Sequence, residues 1–176
     1  MGAQEIIAQA LGLCGTVSYL ISFQIKKNRD FLIFQCFGSL FFFFNYLLLG
    51  AYTGALLNLI NIVRAIALAQ GKKWHRPAVL WGLQIAYCAV TVFTFNGWLS
   101  LLTLPPQIVA TLTMWSGNGK YIRYGQLFLV SPCWLTHNIV VMSIGGVICE
   151  ICAITSTLIS ILRFRRSGYD EGEKTV

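Results

Sequence analysis

Four polar side chains lie inside long apolar stretches of this sequence, where an amide, imidazole or carboxyl group is costly unless it faces protein or water. Asn45 and Asn58 flank a turn centred between residues 51 and 52, and His137 and Glu150 flank a turn centred between residues 143 and 144. If each turn joins two antiparallel helices, both members of a pair lie at equal depth, about 10 Å below one membrane surface. The first pair can form interhelical hydrogen bonds or bind a ligand, and both roles remain open. The second pair can also exchange protons, which favours a functional role.

A polar stripe runs along the stretch that holds Asn58. Asn58, Asn61 and Arg64 are spaced three residues apart, and because a polar stripe facing lipid is costly, we expect it to face the interior of a helix bundle. For Arg64 we favour a side chain that extends to the membrane interface, and a gate or an anion contact in a pathway is the alternative. Trp134 lies near the middle of its stretch, where an indole can stack on a planar or sugar-like solute.

Seven apolar stretches hold these residues, and the positions of Lys and Arg predict their topology. Basic residues occur in the first, third and fifth joints and after the last stretch, but not in the second, fourth or sixth joint. Cytoplasmic loops collect Lys and Arg, so we predict that the N-terminus is outside and the C-terminus inside. Of the 13 basic residues, only Arg64 falls inside a stretch. The stretches cover residues 5–23, 31–49, 52–69, 78–95, 98–115, 124–141 and 146–162.

Composition agrees with a multi-pass, all-α membrane protein. The chain is 56% hydrophobic and only 11% charged, and each stretch is long enough to cross a hydrocarbon core of about 30 Å. We therefore expect the lipid bilayer as a partner and, because the basic residues behind the net charge of +7 anchor the topology, no nucleic acid. No catalytic or cofactor signature occurs, so we expect neither an enzyme nor a cofactor. Cys149 and Cys152 have C-x-x-C spacing but lack partner ligands, so we expect no metal site.

The chain also contains a weak internal repeat. A shift of 92 residues lays the first three stretches over the last three and keeps both triplets in the same orientation, because a single stretch separates them. This is the 3+1+3 plan of transporters with parallel repeats. We expect repeats at 1–70 and 98–163, a linker helix within 71–97 and a cytoplasmic tail at 164–176. The shift superposes Phe42 on Trp134, Asn45 on His137, Gly54 on Gly146 and Asn58 on Glu150.

The stretch FQIKKNRDFLIFQCFGSLFFFFNYLLLGAYTGALLNLINIVRAI at 23–66 resembles the YgjV-type family of bacterial inner membrane proteins. That family in turn resembles, more distantly, the SWEET/PQ-loop superfamily of small solute transporters. The second resemblance implies a path between two triple-helix bundles, with a site in which Asn58 and Trp134 match superfamily positions. Glu150 stands where the superfamily has Asn, and this departure argues against a neutral sugar as the substrate.

Proline positions suggest where helices bend. Pro105 and Pro106 remove two backbone donors, and we expect them to kink the fifth helix near its middle. With Gln107 they form half of a PQ-type signature, whereas the first repeat has Phe23-Gln24. Pro132 is a second candidate hinge, and Pro77 is expected only to begin the fourth helix.

The sequence therefore predicts an inner-membrane transporter that moves a small polar solute by alternating access. The predicted solute contacts are Asn58, Trp134, Glu150, Asn45, His137 and Phe42, and the predicted gate or hinge residues are Arg64, Asn61, Pro105, Pro106, Gln107 and Pro132. The alternative is a structural or regulatory membrane subunit that transports nothing. A central polar cavity lined by Asn58, Trp134 and Glu150 would favour the transporter, and dry packing of these residues would favour the alternative.

Overall fold

The computed structural model describes residues 2–24, 28–70, 74 and 76–166, and these residues form helices and turns but no strand. Seven helices correspond to the seven apolar stretches, so the all-α prediction is confirmed. The predicted anchors Lys26, Lys27, Lys72 and Lys73 and the tail beyond residue 166 lie outside the described residues. The helices are α1 Ala3–Gln24, α2 Asn28–Leu48, α3 Tyr52–Ala69, α4 Pro77–Phe93, α5 Trp98–Leu102 and Leu104–Ser116, α6 Gly119–Gly125, Gln126–Val130 and Ser131–Val140, and α7 Ile144–Arg166.

Helix α5 is broken at Thr103 rather than kinked at its middle. Its second piece begins at Leu104, so Pro105 and Pro106 lie in a first helical turn, where a missing N–H donor costs no intrahelical hydrogen bond. The predicted interruption of the fifth helix is therefore present, but it is a break at Thr103, two residues before the first proline, and not a kink at the prolines themselves. Pro77 begins α4, as predicted.

Helix α6 is continuous but changes its winding. Its central piece, Gln126–Val130, is π-helical and directly precedes Ser131 and Pro132. A proline ring conflicts with the carbonyl group four residues earlier in an α-helix, and a π-helical turn is wider than an α-helical one. The wider turn relieves this conflict and lets the helix continue through Pro132.

The turns that lack Lys and Arg lie together at one end of the molecule. Near the start of α1, Gln4 Nε2 donates to the carbonyl of Leu48 (2.7 Å) and Gln9 Nε2 donates to the carbonyl of Met142 (2.7 Å). Thr53, at the start of α3, donates a 2.9 Å hydrogen bond to the carbonyl of Thr94, the residue that follows α4. The α2–α3, α4–α5 and α6–α7 turns thus share an end with the start of α1. We call this the outer end, following the charge prediction, and the opposite one the inner end.

Polarity is arranged as expected for a protein whose solvent is lipid. Among the described residues, buried polar side chains outnumber buried apolar ones, and Asn45, Asn138 and Ser143 are almost completely buried. Phe93 and Val92, by contrast, are 88% and 72% exposed. In water this pattern would be unfavourable, whereas lipid solvates the apolar outer surface and the interior satisfies the polar groups. By length and composition, α1, α3 and α7 each contain a segment apolar enough to cross a membrane.

The helices close into a ring in chain order. Helix α1 packs against α2 and α7, α2 packs against α3, and α6 packs against α5 and α7. Helix α4 fills the position between α3 and α5, where the buried Tyr87 donates a 2.9 Å hydrogen bond to Asn61 Oδ1 on α3. The six helices of the two predicted repeats therefore surround a common interior, and α4 joins them at the periphery.

A candidate solute cavity between the two predicted repeats

A cavity of about 430 Å³ lies at the centre of the ring. All six helices of the two predicted repeats line it, and α4 does not. It runs from Tyr46 and Trp134 towards the inner end, where Ile122, Arg123 and Ser160 border it. This volume lies in the range of small-molecule binding sites, about 300–1,000 Å³.

One wall of the cavity is formed by the polar stripe of α3. Asn58, Asn61 and Arg64 all line it, as the three-residue spacing predicted. The Arg64 side chain is buried and donates a 3.2 Å hydrogen bond from Nη1 to Thr111 on α5. The favoured prediction that Arg64 extends to the membrane interface is therefore wrong. Its guanidinium stays in the interior because Thr111 and the polar cavity solvate it there.

Described residues use little of the hydrogen-bonding capacity of Arg64. A guanidinium group has five N–H donors, and the described residues provide the single acceptor on Thr111 and no carboxylate partner. Gln107 is also almost fully buried at the cavity wall, and its Nε2 donor has no hydrogen-bond partner among the described residues. The α3–α5 side of the cavity is consequently rich in donors and carries a positive charge.

The opposite side of the cavity carries a carboxyl group. Glu150 on α7 lines the cavity, and its Oε2 atom is buried without a hydrogen-bond partner in the described part of the chain. The side chain of Ser131 interacts with this carboxyl group, and Ser131 Oγ accepts a 2.8 Å hydrogen bond from Gln126 Nε2. Glu150 and Arg64 thus border one cavity with opposite formal charges and form no ion pair with each other.

Four stacked aromatic rings line the cavity along its α1–α2–α6 side, and we call them the aromatic ladder. Tyr19 stacks on Phe42, Phe42 stacks on Tyr46, and Tyr46 stacks on Trp134, with 5.7 Å between ring centroids at each step. The interplanar angle between Tyr46 and Trp134 is only 15°. The ladder offers flat apolar surface beside the charged groups, as expected for a site that holds a solute with a polar and an apolar part.

The cavity ends at an aromatic and hydrogen-bonded layer towards the outer end. Tyr46 donates a 2.6 Å hydrogen bond to Asn138 Oδ1 on α6. The His137 ring lies edge-on to both Tyr46 and Trp134, with 5.2 Å between centroids in each case. Tyr46 and Asn138 are 92 residues apart, so this bond joins equivalent positions of the two predicted repeats.

A second cavity lies on the other side of this layer. It measures about 320 Å³ and is lined by His137 and by residues of the α2–α3, α4–α5 and α6–α7 turns. Tyr46 and Trp134 line only the central cavity, whereas His137 lines only the outer one. One layer of side chains therefore separates an outer cavity from a central cavity that extends inward.

Close backbone packing supports the layer at the outer end of α1 and α7. A Cβ atom on Gly145 would lie 2.6 Å from the carbonyl oxygen of Gly12, so only glycine allows this approach. The single hydroxyl proton of Thr16 is shared between the carbonyls of Gly12 (2.9 Å from Oγ1) and Gly145 (2.6 Å), so this side chain bridges the two helices. The outer end of this interface is therefore closed tightly.

Asn45 belongs to this closure and not to the cavity. Its Nδ2 donates to the carbonyl of Ala8 (2.7 Å), and its Oδ1 accepts from Ser143 Oγ (2.8 Å). Asn58 instead donates a 2.9 Å hydrogen bond to the carbonyl of Gly54 in its own helix. The predicted cross-hairpin pair of Asn45 and Asn58 therefore does not form, because each amide finds a nearer backbone partner.

The structure brings together most of the residues that the sequence singled out. The central cavity contains Phe42, Asn58, Asn61, Arg64, Gln107, Trp134 and Glu150. His137 and Glu150 lie on different cavities, so the predicted pair is divided by the aromatic layer. Pro106 is buried, whereas Pro105 and Pro132 face outward.

Sequence reasoning missed Tyr19, Tyr46 and Asn138. Tyr19 and Tyr46 each stack on Phe42, but an aromatic residue in an apolar stretch is usually a lipid or core contact. Asn138 had a usable signal, since it is a second polar residue directly beside His137 and is the repeat equivalent of Tyr46. The contacts that distinguish these residues run between helices that are distant in sequence.

These features define an α-helical membrane protein with an apolar exterior and a polar, charged interior cavity. The profile of the Imp-YgjV family, described as a bacterial inner membrane protein, matches residues 6–168 of the chain. The protein therefore belongs to this family of bacterial inner membrane proteins. Comparisons with curated proteins and with solved structures found no match.

Proposed function

We propose that this protein is a transporter that moves a small polar solute across the bacterial inner membrane by alternating access. The observation that carries the proposal is the pair of cavities divided by one layer of side chains. In alternating access, a central site is open to one side while a closed layer separates it from the other. The central cavity extends towards the inner end, and the Tyr46–Asn138 layer separates it from the outer cavity. This arrangement fits the inward-facing state of such a cycle.

The polarity of the cavity supports a solute pathway over a structural role. A membrane subunit that only packs against a partner gains nothing from a buried arginine and a half-buried carboxyl group that do not pair with each other, since each raises the cost of folding. Asn58, Trp134 and Glu150 all border the cavity instead of packing dry. The distant resemblance to SWEET-type transporters and the 92-residue repeat support the same proposal, with the 3+1+3 arrangement as its architecture.

Cysteine accessibility tests the proposal directly. In a variant without native cysteines, a single cysteine replaces Ser156, which borders the inner part of the cavity, or Thr53, which borders the outer cavity. A membrane-impermeant thiol reagent applied to inside-out and right-side-out vesicles should label Ser156→Cys from the inner side only and Thr53→Cys from the outer side only. Thr155→Cys is the matched control, because Thr155 is exposed beside Ser156 without lining either cavity, and it should stay unlabelled.

Solute dependence separates transport from a static cavity. A transported solute shifts the population between inward-facing and outward-facing states, so its addition should change labelling at Ser156→Cys and Thr53→Cys in opposite directions. Flux of the same solute into proteoliposomes should accompany the shift. Labelling that no solute alters, together with the absence of flux, would favour a structural or regulatory subunit.

A further inference from the structure

We propose that the solute is a small zwitterion, with a carboxylate that binds Arg64, an ammonium group that binds Glu150, and an apolar or aromatic side group that packs on the aromatic ladder. This inference deepens the proposed function and rests on it. It begins from Arg64 and Glu150, which carry opposite charges and border one cavity, each with hydrogen-bonding capacity that no described residue uses. A third charged side chain, Arg123, borders the same cavity at its inner end.

The positive end of the site is suited to a carboxylate. Arg64 is held in place by Thr111, and its remaining N–H donors are not used by any acceptor among the described residues. A guanidinium group matches the two oxygens of a carboxylate in a planar, bidentate arrangement. The unpaired Nε2 donor of Gln107 lines the same cavity and adds a further donor for an anionic group.

The negative end of the site is suited to an ammonium group. Within the described part of the chain, Glu150 Oε2 is a buried acceptor without a partner, and the three donors of an ammonium group can satisfy it. Tyr19, Arg64 and Glu150 all line the same cavity, so a solute in it lies between the two charges. Their field therefore orients a dipolar solute in one direction.

Other solute classes leave one of the charges uncompensated. A simple anion would pair with Arg64 but face the carboxyl group of Glu150, and a simple cation would have the reverse problem. A neutral sugar would form hydrogen bonds but leave both formal charges without a counter-charge, and this is costly in a buried site. A zwitterion compensates both charges while the net charge of the site stays constant.

The aromatic ladder accounts for the rest of the solute. Tyr46 and Trp134 present nearly parallel rings at the closed end of the cavity, and a planar or apolar group gains contact area against such rings. The cavity volume of about 430 Å³ suits a solute of amino-acid to dipeptide size.

Binding to the purified full-length protein in nanodiscs tests this inference with a matched set of phenyl compounds. L-Phenylalanine and glycyl-L-phenylalanine carry both charges at different spacings, 2-phenylethylamine carries only the ammonium group, and 3-phenylpropionate carries only the carboxylate. Glucose represents neutral sugars. We expect at least one zwitterion to bind about tenfold or more tightly than either singly charged compound, because each lost charged hydrogen bond weakens binding by at least that factor.

Two variants assign the charges to the residues. Arg64→Gln should abolish the preference for the bound zwitterion over 2-phenylethylamine, and Glu150→Gln should abolish its preference over 3-phenylpropionate. Thr155→Val, on the same helix as Glu150 but outside both cavities, should leave both preferences unchanged. The readout is the ratio between two ligands on one variant, so a general loss of stability does not produce the expected result.

Failure of this inference is distinguishable from failure of the proposed function. Binding and proteoliposome flux of glucose or of a singly charged compound, without zwitterion binding, would overturn the inference and leave the transporter intact. Unchanged ligand preferences in both variants would also overturn it, and would indicate that Arg64 and Glu150 pair with each other in another state. Lack of binding and flux for every compound, with solute-independent cysteine labelling, would remove the proposed function as well.

Discussion

Replacing Gly145 with alanine should open the contact between α1 and α7. The Cβ atom would lie 2.6 Å from the Gly12 carbonyl oxygen, which is 0.8 Å short of the 3.4 Å at which ordinary van der Waals contact begins. The clash is with backbone and not with a flexible side chain, so a whole helix must shift. Overpacking of this kind costs about 1–3 kcal/mol, and a rigid backbone partner places the cost at the upper end, about 2–3 kcal/mol.

Thermal unfolding of the purified protein measures this cost. For a chain of this length, 1 kcal/mol corresponds to roughly 2–4 °C in Tm, so Gly145→Ala should lower Tm by about 4–12 °C. The matched control is Gly82→Ala. Gly82 lies in the interior of α4, and a Cβ atom added to it would have no neighbouring atom within 4 Å, so this change should stabilise the helix by about 0.5–1 kcal/mol.

The same glycine-to-alanine change should lower Tm at Gly145 and raise it at Gly82. If both variants melted at the wild-type temperature, the close approach of α1 and α7 would not exist in the protein. If both were destabilised equally, the effect would come from glycine replacement in general. Since the contact lies at the closed outer end, Gly145→Ala should also allow labelling from outside of a cysteine in the central cavity, such as Ser156→Cys.

Three further outcomes follow from the topology and the cavity. A cysteine at Asn96 should react with an impermeant reagent from outside and one at Lys73 only from inside; external reaction at Lys73 would contradict the charge-based topology. Asn58→Ala should abolish binding of the identified solute while Tm changes little, whereas Trp134→Ala should abolish binding and also lower Tm, because its buried ring stacks on Tyr46; normal binding in both would show that the site lies elsewhere. Tyr46→Phe removes the donor to the buried amide oxygen on α6, which should cost about 1–3 kcal/mol in thermal unfolding and make the central cavity reachable from outside; unchanged labelling would show that this bond does not close the layer.

Much of the fold could be predicted from the sequence because the bilayer imposes a simple rule on it. Each helix must be apolar over a membrane-length stretch and must satisfy its own backbone, so the seven stretches were visible directly. The positions of Lys and Arg predicted that the three turns without basic residues lie at the same end of the molecule, and they do. Polar groups spaced three residues apart share a helix face, so the stripe of Asn58, Asn61 and Arg64 was predicted to face the interior. All three residues line the central cavity.

The pairings between polar residues could not be predicted in the same way. Asn45 was paired with Asn58, and His137 with Glu150, because the two members of each pair lie at equal depth in a hairpin. Depth alone does not specify how each helix is rotated about its axis. Rotation turns Asn45 towards Ala8 and Ser143 and turns His137 into the outer cavity. Proline chemistry was similarly incomplete, since the two prolines predicted an interruption but not its position: the helix breaks at Thr103, and the prolines lie in the first turn of its second piece.

The sequence by itself determined the number of helices, their relative directions and the identity of the ionisable groups within them. Those properties follow from hydropathy and charge, which act locally along the chain. Only the tertiary structure decided that Arg64 remains inside, that the aromatic ladder spans α1, α2 and α6, and that Tyr46 meets Asn138 across 92 residues. These features depend on contacts between side chains far apart in sequence, and local periodicity carries no information about such contacts.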